Sequence, residues 1–147
     1  MKKDSLWVEL ELETGASPEK VWQALTRPEL TEKYMYGCQF HSSLALGDDE
    51  AWVRFDDQGN EITEVKGIVI ACVPNKILHL KLFHNKGLSE DTSELIFSIE
   101  PKADQAILKI QQGDFFHFDN SVEVYKKTLE GWNFVKKDLI ATCKASP

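Results

Sequence analysis

The chain has no apolar stretch approaching the roughly 20 residues that a membrane-crossing helix needs. Its opening Met1-Lys2-Lys3-Asp4 runs toward the alternating Trp7-Val8-Glu9-Leu10-Glu11 rather than into an apolar signal segment. The expectation is a cytoplasmic protein with no membrane insertion. Cysteine is scarce: Cys38, Cys72 and Cys143 are odd in number, far apart and without a C-x-x-C pair. Neither a disulfide framework nor a cysteine zinc site is indicated, and buried free thiols are the expectation. Basic charge is short as well. The 17 Lys and Arg stand against 24 Asp and Glu, a formal net charge of -7, and the basic residues are scattered apart from Lys126-Lys127 and Lys136-Lys137. Nucleic acid and anionic membranes would be repelled by such a surface. Repeats, linkers and low-complexity tracts are missing too, which leaves residues 1–147 as one domain.

What is present suits a globular fold. A chain of this length buries roughly 70% of the surface its unfolded form exposes and needs no metal or disulfide to fold. Leu6 to Glu13 alternates strictly, with Leu6, Val8, Leu10 and Leu12 on one face, the pattern of a half-buried strand. Gly15-Ala16-Ser17 stops it, and Ser17-Pro18 supplies an N-cap and a first-turn proline for a helix through Leu25. Thr26-Arg27-Pro28-Glu29 reads as the cap of a second short helix ending near Tyr36-Gly37.

From Gly37 to Gln112 short segments alternate with turn chemistry, an antiparallel meander. Glu50 to Phe55 is closed by Asp56-Asp57-Gln58-Gly59-Asn60, where Gly59 supplies the positive φ of a tight turn. Strands are expected over Val65 to Val73, Ile77 to His84, Ser93 to Glu100 and Ala106 to Gln112, with Asn85 to Thr92 as the longest polar connection. The last third is helical. Asn120 is placed to cap it with Glu123 three residues on, and Val122, Tyr125, Leu129, Trp132, Val135, Leu139 and Cys143 recur at steps of three and four. Over Ser121 to Cys143 the helix would be roughly 34 Å long, enough to cross a six- or seven-stranded sheet. Gly131 within it is expected to mark a close approach of helix and sheet.

This order of elements resembles the helix-grip fold of the START-like (SRPBCC) superfamily. Ala16-Ser17-Pro18-Glu19-Lys20-Val21-Trp22-Gln23-Ala24-Leu25-Thr26-Arg27-Pro28-Glu29-Leu30 is similar to the opening motif of the branch named after the heat shock protein 90 ATPase activator. Gly67-Ile68-Val69 with Pro74-Asn75-Lys76-Ile77-Leu78 matches its mid-sheet pattern, and Gly131-Trp132 followed by Leu139 its terminal helix. The likeness covers nearly the whole chain. It departs at Tyr34, where the branch usually has tryptophan, and at Gln111-Gln112-Gly113-Asp114-Phe115, where the branch has a threonine-histidine pair ahead of glycine-phenylalanine. The resemblance implies an α+β fold in which a curved antiparallel sheet of six or seven strands grips the terminal helix, with two short helices after the first strand.

A sheet curled around a helix either fills its interior or leaves a cavity. The inward residues Leu80, Leu82, Phe97, Leu108, Trp132 and Val135 would line an apolar one. Gly113 to Asp119 is the densest cluster of aromatic and ionisable side chains and the first choice for its rim, through Phe115 and His117. Three functions compete. The leading one is non-catalytic binding of a small apolar or amphipathic ligand; the second, implied by the resemblance, is interaction with a chaperone or other protein partner. The third is a cyclase- or hydrolase-like enzyme in which Asp114 or Asp119 orients His117, although no nucleophile motif accompanies the histidine. No cofactor is indicated. His79 and His84, five apart, point to opposite faces of a regular strand and cannot chelate one metal, and Asp48-Asp49-Glu50 and Asp56-Asp57 lack calcium-loop spacing. Trp7 is expected to face outward and Trp52 to enter the core, with Trp22 and Trp132 packing the first helix against the last.

Overall fold

The computed structural model describes residues 5–83 and 92–147. Met1 to Asp4, His84 and the connection from Asn85 to Asp91 lie outside the described residues. Seven strands form a single sheet: β1 (Val8–Glu13), β2 (Gln39–Ser42), β3 (Asp49–Phe55), β4 (Glu61–Val73), β5 (Ile77–Phe83), β6 (Thr92–Lys102) and β7 (Gln105–Gly113). Their spatial order is β1-β7-β6-β5-β4-β3-β2, and every pairing is antiparallel. Between β1 and β2 stand α1 (Pro18–Thr26) and α2 (Pro28–Thr31), and the chain finishes in α3 (Ser121–Ala145). This is the helix-grip α+β architecture.

Alternation decides what the sheet turns inward. Val8 and Leu12 of β1, Leu78, Leu80 and Leu82 of β5, and Leu95, Phe97 and Ile99 of β6 are buried, as are Ala106, Leu108 and Ile110 of β7. Cross-strand register sets them side by side, Leu12 opposite Leu108 and Leu108 opposite Ile99. They join Val21, Ala24 and Leu25 of α1 and Trp132, Val135, Leu139 and Cys143 of α3 in one core. Each fully buried aliphatic side chain of this kind contributes about 1.5–3 kcal/mol of transfer free energy. Cys38 and Cys143 are buried and Cys72 half-buried, all with free thiols.

Local chemistry explains the boundaries. The Ser17 hydroxyl accepts from the Lys20 amide at 3.3 Å, and Pro18 follows as the first helical residue. Asp56 closes the β3–β4 hairpin by accepting from the amides of Gln58 (2.9 Å) and Asn60 (2.8 Å). Tyr34 donates to the Ala24 carbonyl at 2.8 Å, pinning the segment after α2 beneath α1.

Several sequence expectations need correction. Thr26 does not cap α2: its hydroxyl bonds back to the Trp22 carbonyl at 2.8 Å, and Arg27 takes the cap position without a side-chain bond. That helix is a single turn, followed by irregular turns through Gly37. Asn120 precedes α3 but its side chain caps nothing. Val122 is exposed, because the first turn of α3 extends past the buried part of the interface; Tyr125 and Leu129 are half-buried against the core, and full burial begins at Trp132. Trp7, expected to face solvent, is half-buried against Gly113, where an added Cβ would come within 2.7 Å of the indole. Trp132 packs edge-on against Phe97, ring centroids 6.0 Å apart.

Candidate functional site

A cavity of about 460 Å³ lies between α3, the sheet and the segment after α2. Thr128, Trp132 and Val135 face it from α3, spaced by four and three residues as one helical face requires. The sheet contributes Trp52, Val65, Leu82, Leu95 and Gln112, one from each of β3 to β7, and Met35, Tyr36 and Cys38 form the side wall. Thr31 holds that wall in place, accepting from the Phe40 amide at 2.9 Å and donating to the Cys38 carbonyl at 3.2 Å. Phe40 in turn packs against Trp52 with its ring tilted, centroids 4.9 Å apart.

Polar groups are few and placed at particular points. Arg54 and Glu64 pair at the cavity rim. The register between β3 and β4 shifts after Trp52, so that Trp52 faces Val65 but Val53 faces Thr63; Glu64 is the extra residue of this bulge, which turns it beside Arg54. Deeper in, the Trp132 indole N–H donates to Gln112 Oε1 at 2.8 Å. The Tyr36 hydroxyl donates to the Gly131 carbonyl at 3.2 Å, and its ring stacks on Phe134, centroids 5.9 Å apart and nearly parallel. Gly131 therefore marks a close approach of α3 to Tyr36 rather than to the sheet. Burial pushes the Cys38 thiol up, with Glu64 adding to the effect and Arg54 opposing it.

Of the residues expected at the site, Leu82, Trp132 and Val135 line the cavity. Leu80, Phe97 and Leu108 sit in the packed core beneath it. Phe115 is fully buried and packs edge-on against Phe118, centroids 5.3 Å apart, outside the lining. His117 is exposed, its ring tilted beside Phe118, and among the described residues it makes no hydrogen bond. The Asp114 carboxylate accepts instead from the amides of Leu6 (2.7 Å) and Phe116 (2.9 Å), tying this loop to the entry of β1. No group of three His, Cys, Asp or Glu gathers at one point among the described residues.

Sequence reasoning missed Met35, Tyr36 and Cys38, which stand on irregular backbone without a period. It also missed Arg54 and Glu64, whose faces depend on the bulge. Gln112 carried a signal: it is the polar member of the inward series Leu108, Ile110, Gln112.

Fold and cavity together define a START-like, helix-grip domain. The chain belongs to the family of the Activator of Hsp90 ATPase homolog 1-like protein, whose family model matches residues 15–143. Among solved structures it is similar to protein MLL2253 from Mesorhizobium loti (TM-score 0.75, 22% identity, covering 96% of this chain and 98% of that one). It is also similar to CalU16 from Micromonospora echinospora (0.72, 18%, 96% and 76%). The Aha1 dimer from Colwellia psychrerythraea follows (0.64, 20%, 91% and 96%). At these identities the likeness is one of fold. No curated protein matches the sequence.

Proposed function

We propose that this chain is a non-catalytic binding module that holds a small apolar or amphipathic molecule between its sheet and α3. The observation that carries the reading is the cavity itself. Its volume of about 460 Å³ falls in the range of about 300–1,000 Å³ typical of small-molecule sites, and its wall is mostly aliphatic and aromatic with a few fixed polar groups. Reaction chemistry has little support there. The Cys38 thiol is held protonated by burial, and His117 stands outside the lining. No helix among the described residues is long and apolar enough to cross a membrane. A single domain over 1–147 acting in the cytoplasm belongs to the same reading.

The test is native mass spectrometry and solvent extraction of the purified protein, repeated on Thr128→Trp, which places an indole in the lumen. A co-purifying or displaceable small molecule that is lost in the variant supports the reading. A wild-type protein that retains and takes up nothing rejects it.

A second reading, action on a chaperone, rests on the family to which the chain belongs. Pull-down with an Hsp90-type chaperone and an ATPase assay decide it; no association and no rate change remove it.

A further inference from the structure

We infer that Gln112 is the specificity-determining donor of the cavity and selects apolar molecules that carry a neutral hydrogen-bond acceptor, a carbonyl oxygen above all. The inference deepens the proposed function and rests on a molecule occupying this cavity.

The argument begins with Trp132. An indole N–H can only donate, so the group that meets Trp132 Nε1 at 2.8 Å must be the oxygen of the Gln112 amide, not its nitrogen. That bond fixes which way the amide lies. The NH₂ end is left over, and among the described residues Nε2 has no hydrogen-bond partner. It is not sealed off either: among the described residues, the buried side-chain atoms without a partner are Gln23 Oε1 and the two oxygens of Glu50. Gln112 lines the cavity while only 8% of its surface is exposed. An oriented, unpaired pair of N–H donors at an apolar wall discriminates by what it meets. An acceptor satisfies it, whereas a hydrocarbon surface leaves it desolvated and unpaired.

Charge narrows the class. The cationic group among the described lining residues, Arg54, is already matched by Glu64, so among the described residues an anionic ligand finds no free countercharge there. A neutral carbonyl on an aromatic or aliphatic frame fits the donor and the wall together. Trp132 acts as a positioning residue: it sets the amide and contributes its own ring to the lumen.

The experiment uses two probes matched in shape, benzophenone and diphenylmethane, which differ in the carbonyl. Each is titrated into ¹⁵N-labelled protein, following the Gln112 side-chain amide and the Trp132 indole resonances. The expected result is that benzophenone shifts the Gln112 NH₂ signals. The benzophenone-to-diphenylmethane affinity ratio should then fall about 3- to 10-fold from wild type to Gln112→Leu, the usual worth of one neutral hydrogen bond. Trp132→Phe, which frees the amide to turn, should lower the ratio as well. If Gln112→Leu fails to fold, Gln112→Glu serves in its place, since it keeps an acceptor for the indole but has no N–H to offer. An unchanged ratio in the folded variants, with both probes bound, overturns the role of Gln112 and leaves the cavity reading standing. Absence of any shift at Trp132 or Gln112 with either probe overturns both.

Discussion

The carboxyl group of Glu50 occupies the space that a side chain at Gly67 would fill. The two residues face each other across β3 and β4, and a Cβ built on Gly67 would lie 2.2 Å from Glu50 Oε2 and 2.0 Å from the Lys81 carbonyl oxygen. Glu50 is 2% exposed, and neither of its oxygens has a hydrogen-bond partner among the described residues. Burial pushes its pKa up to about 8.

Gly67→Ala should destabilise the fold by about 3 kcal/mol, the upper part of the usual range for overpacking. The added methyl meets backbone at Lys81 as well as a side chain, and backbone within a paired strand has little freedom to yield. Urea denaturation checks it; a loss below about 0.5 kcal/mol would mean that the two strands part freely at this point.

Glu50 should make stability fall as pH rises. A carboxyl whose folded pKa lies above its unfolded value of about 4.3 binds more protons in the native state, so its contribution is neutral at low pH. It turns unfavourable between about pH 4.5 and 8, with a slope of up to about 1.4 kcal/mol per pH unit, and is constant above that. Glu50→Gln removes the titration. The difference in unfolding free energy between variant and wild type should grow through this window and then level; a difference independent of pH would contradict the assignment.

Tyr34→Phe should cost about 1–2 kcal/mol. The hydroxyl is buried and donates to the Ala24 carbonyl near the C-terminal end of α1, and its removal leaves that carbonyl unpaired in the core. Burial pushes the phenol pKa upward, so the group remains neutral across the working range. Thermal unfolding of the variant at neutral pH measures the loss.

Thr128→Trp should abolish uptake of small apolar probes while shifting the melting temperature by only a few degrees, because it fills free space rather than displacing packed atoms. Dye displacement and calorimetry on the same sample separate the two effects.

Much of the fold could be read from the sequence because its faces repeat. The acids between Val8, Leu10 and Leu12 fixed the inward side of β1, and the steps from Trp132 to Cys143 fixed that of α3. Periodicity states which residues share a face, not where the opposing surface ends, so it places Val122 inward although the residue is exposed. The short α2 misled for another reason. Thr26 carries a side chain suited to capping, yet the carbonyl of Trp22 one turn back captures its hydroxyl. At the site, Leu82, Trp132 and Val135 were legible as inward positions. The wall from Met35 to Cys38 was not, since Tyr36 and Gly37 adopt positive φ in a turn that has no repeat. The loop from Gly113 to Asp119 is dense in chemical groups, but Asp114 is engaged in fastening the chain to Leu6.

From β2 to β7 each strand pairs with its neighbours in sequence, whereas β1 joins the far side of the sheet: Glu9 and Gln111 meet although 102 positions separate them. Such a seam carries the largest loop-closure entropy in the molecule. The meander can assemble through local hairpins, and the sheet is completed when the N-terminal strand docks on β7, the kind of distant pairing that slows folding. Amide hydrogen exchange should then find Val8 to Glu13 opening before the central strands β5 and β6.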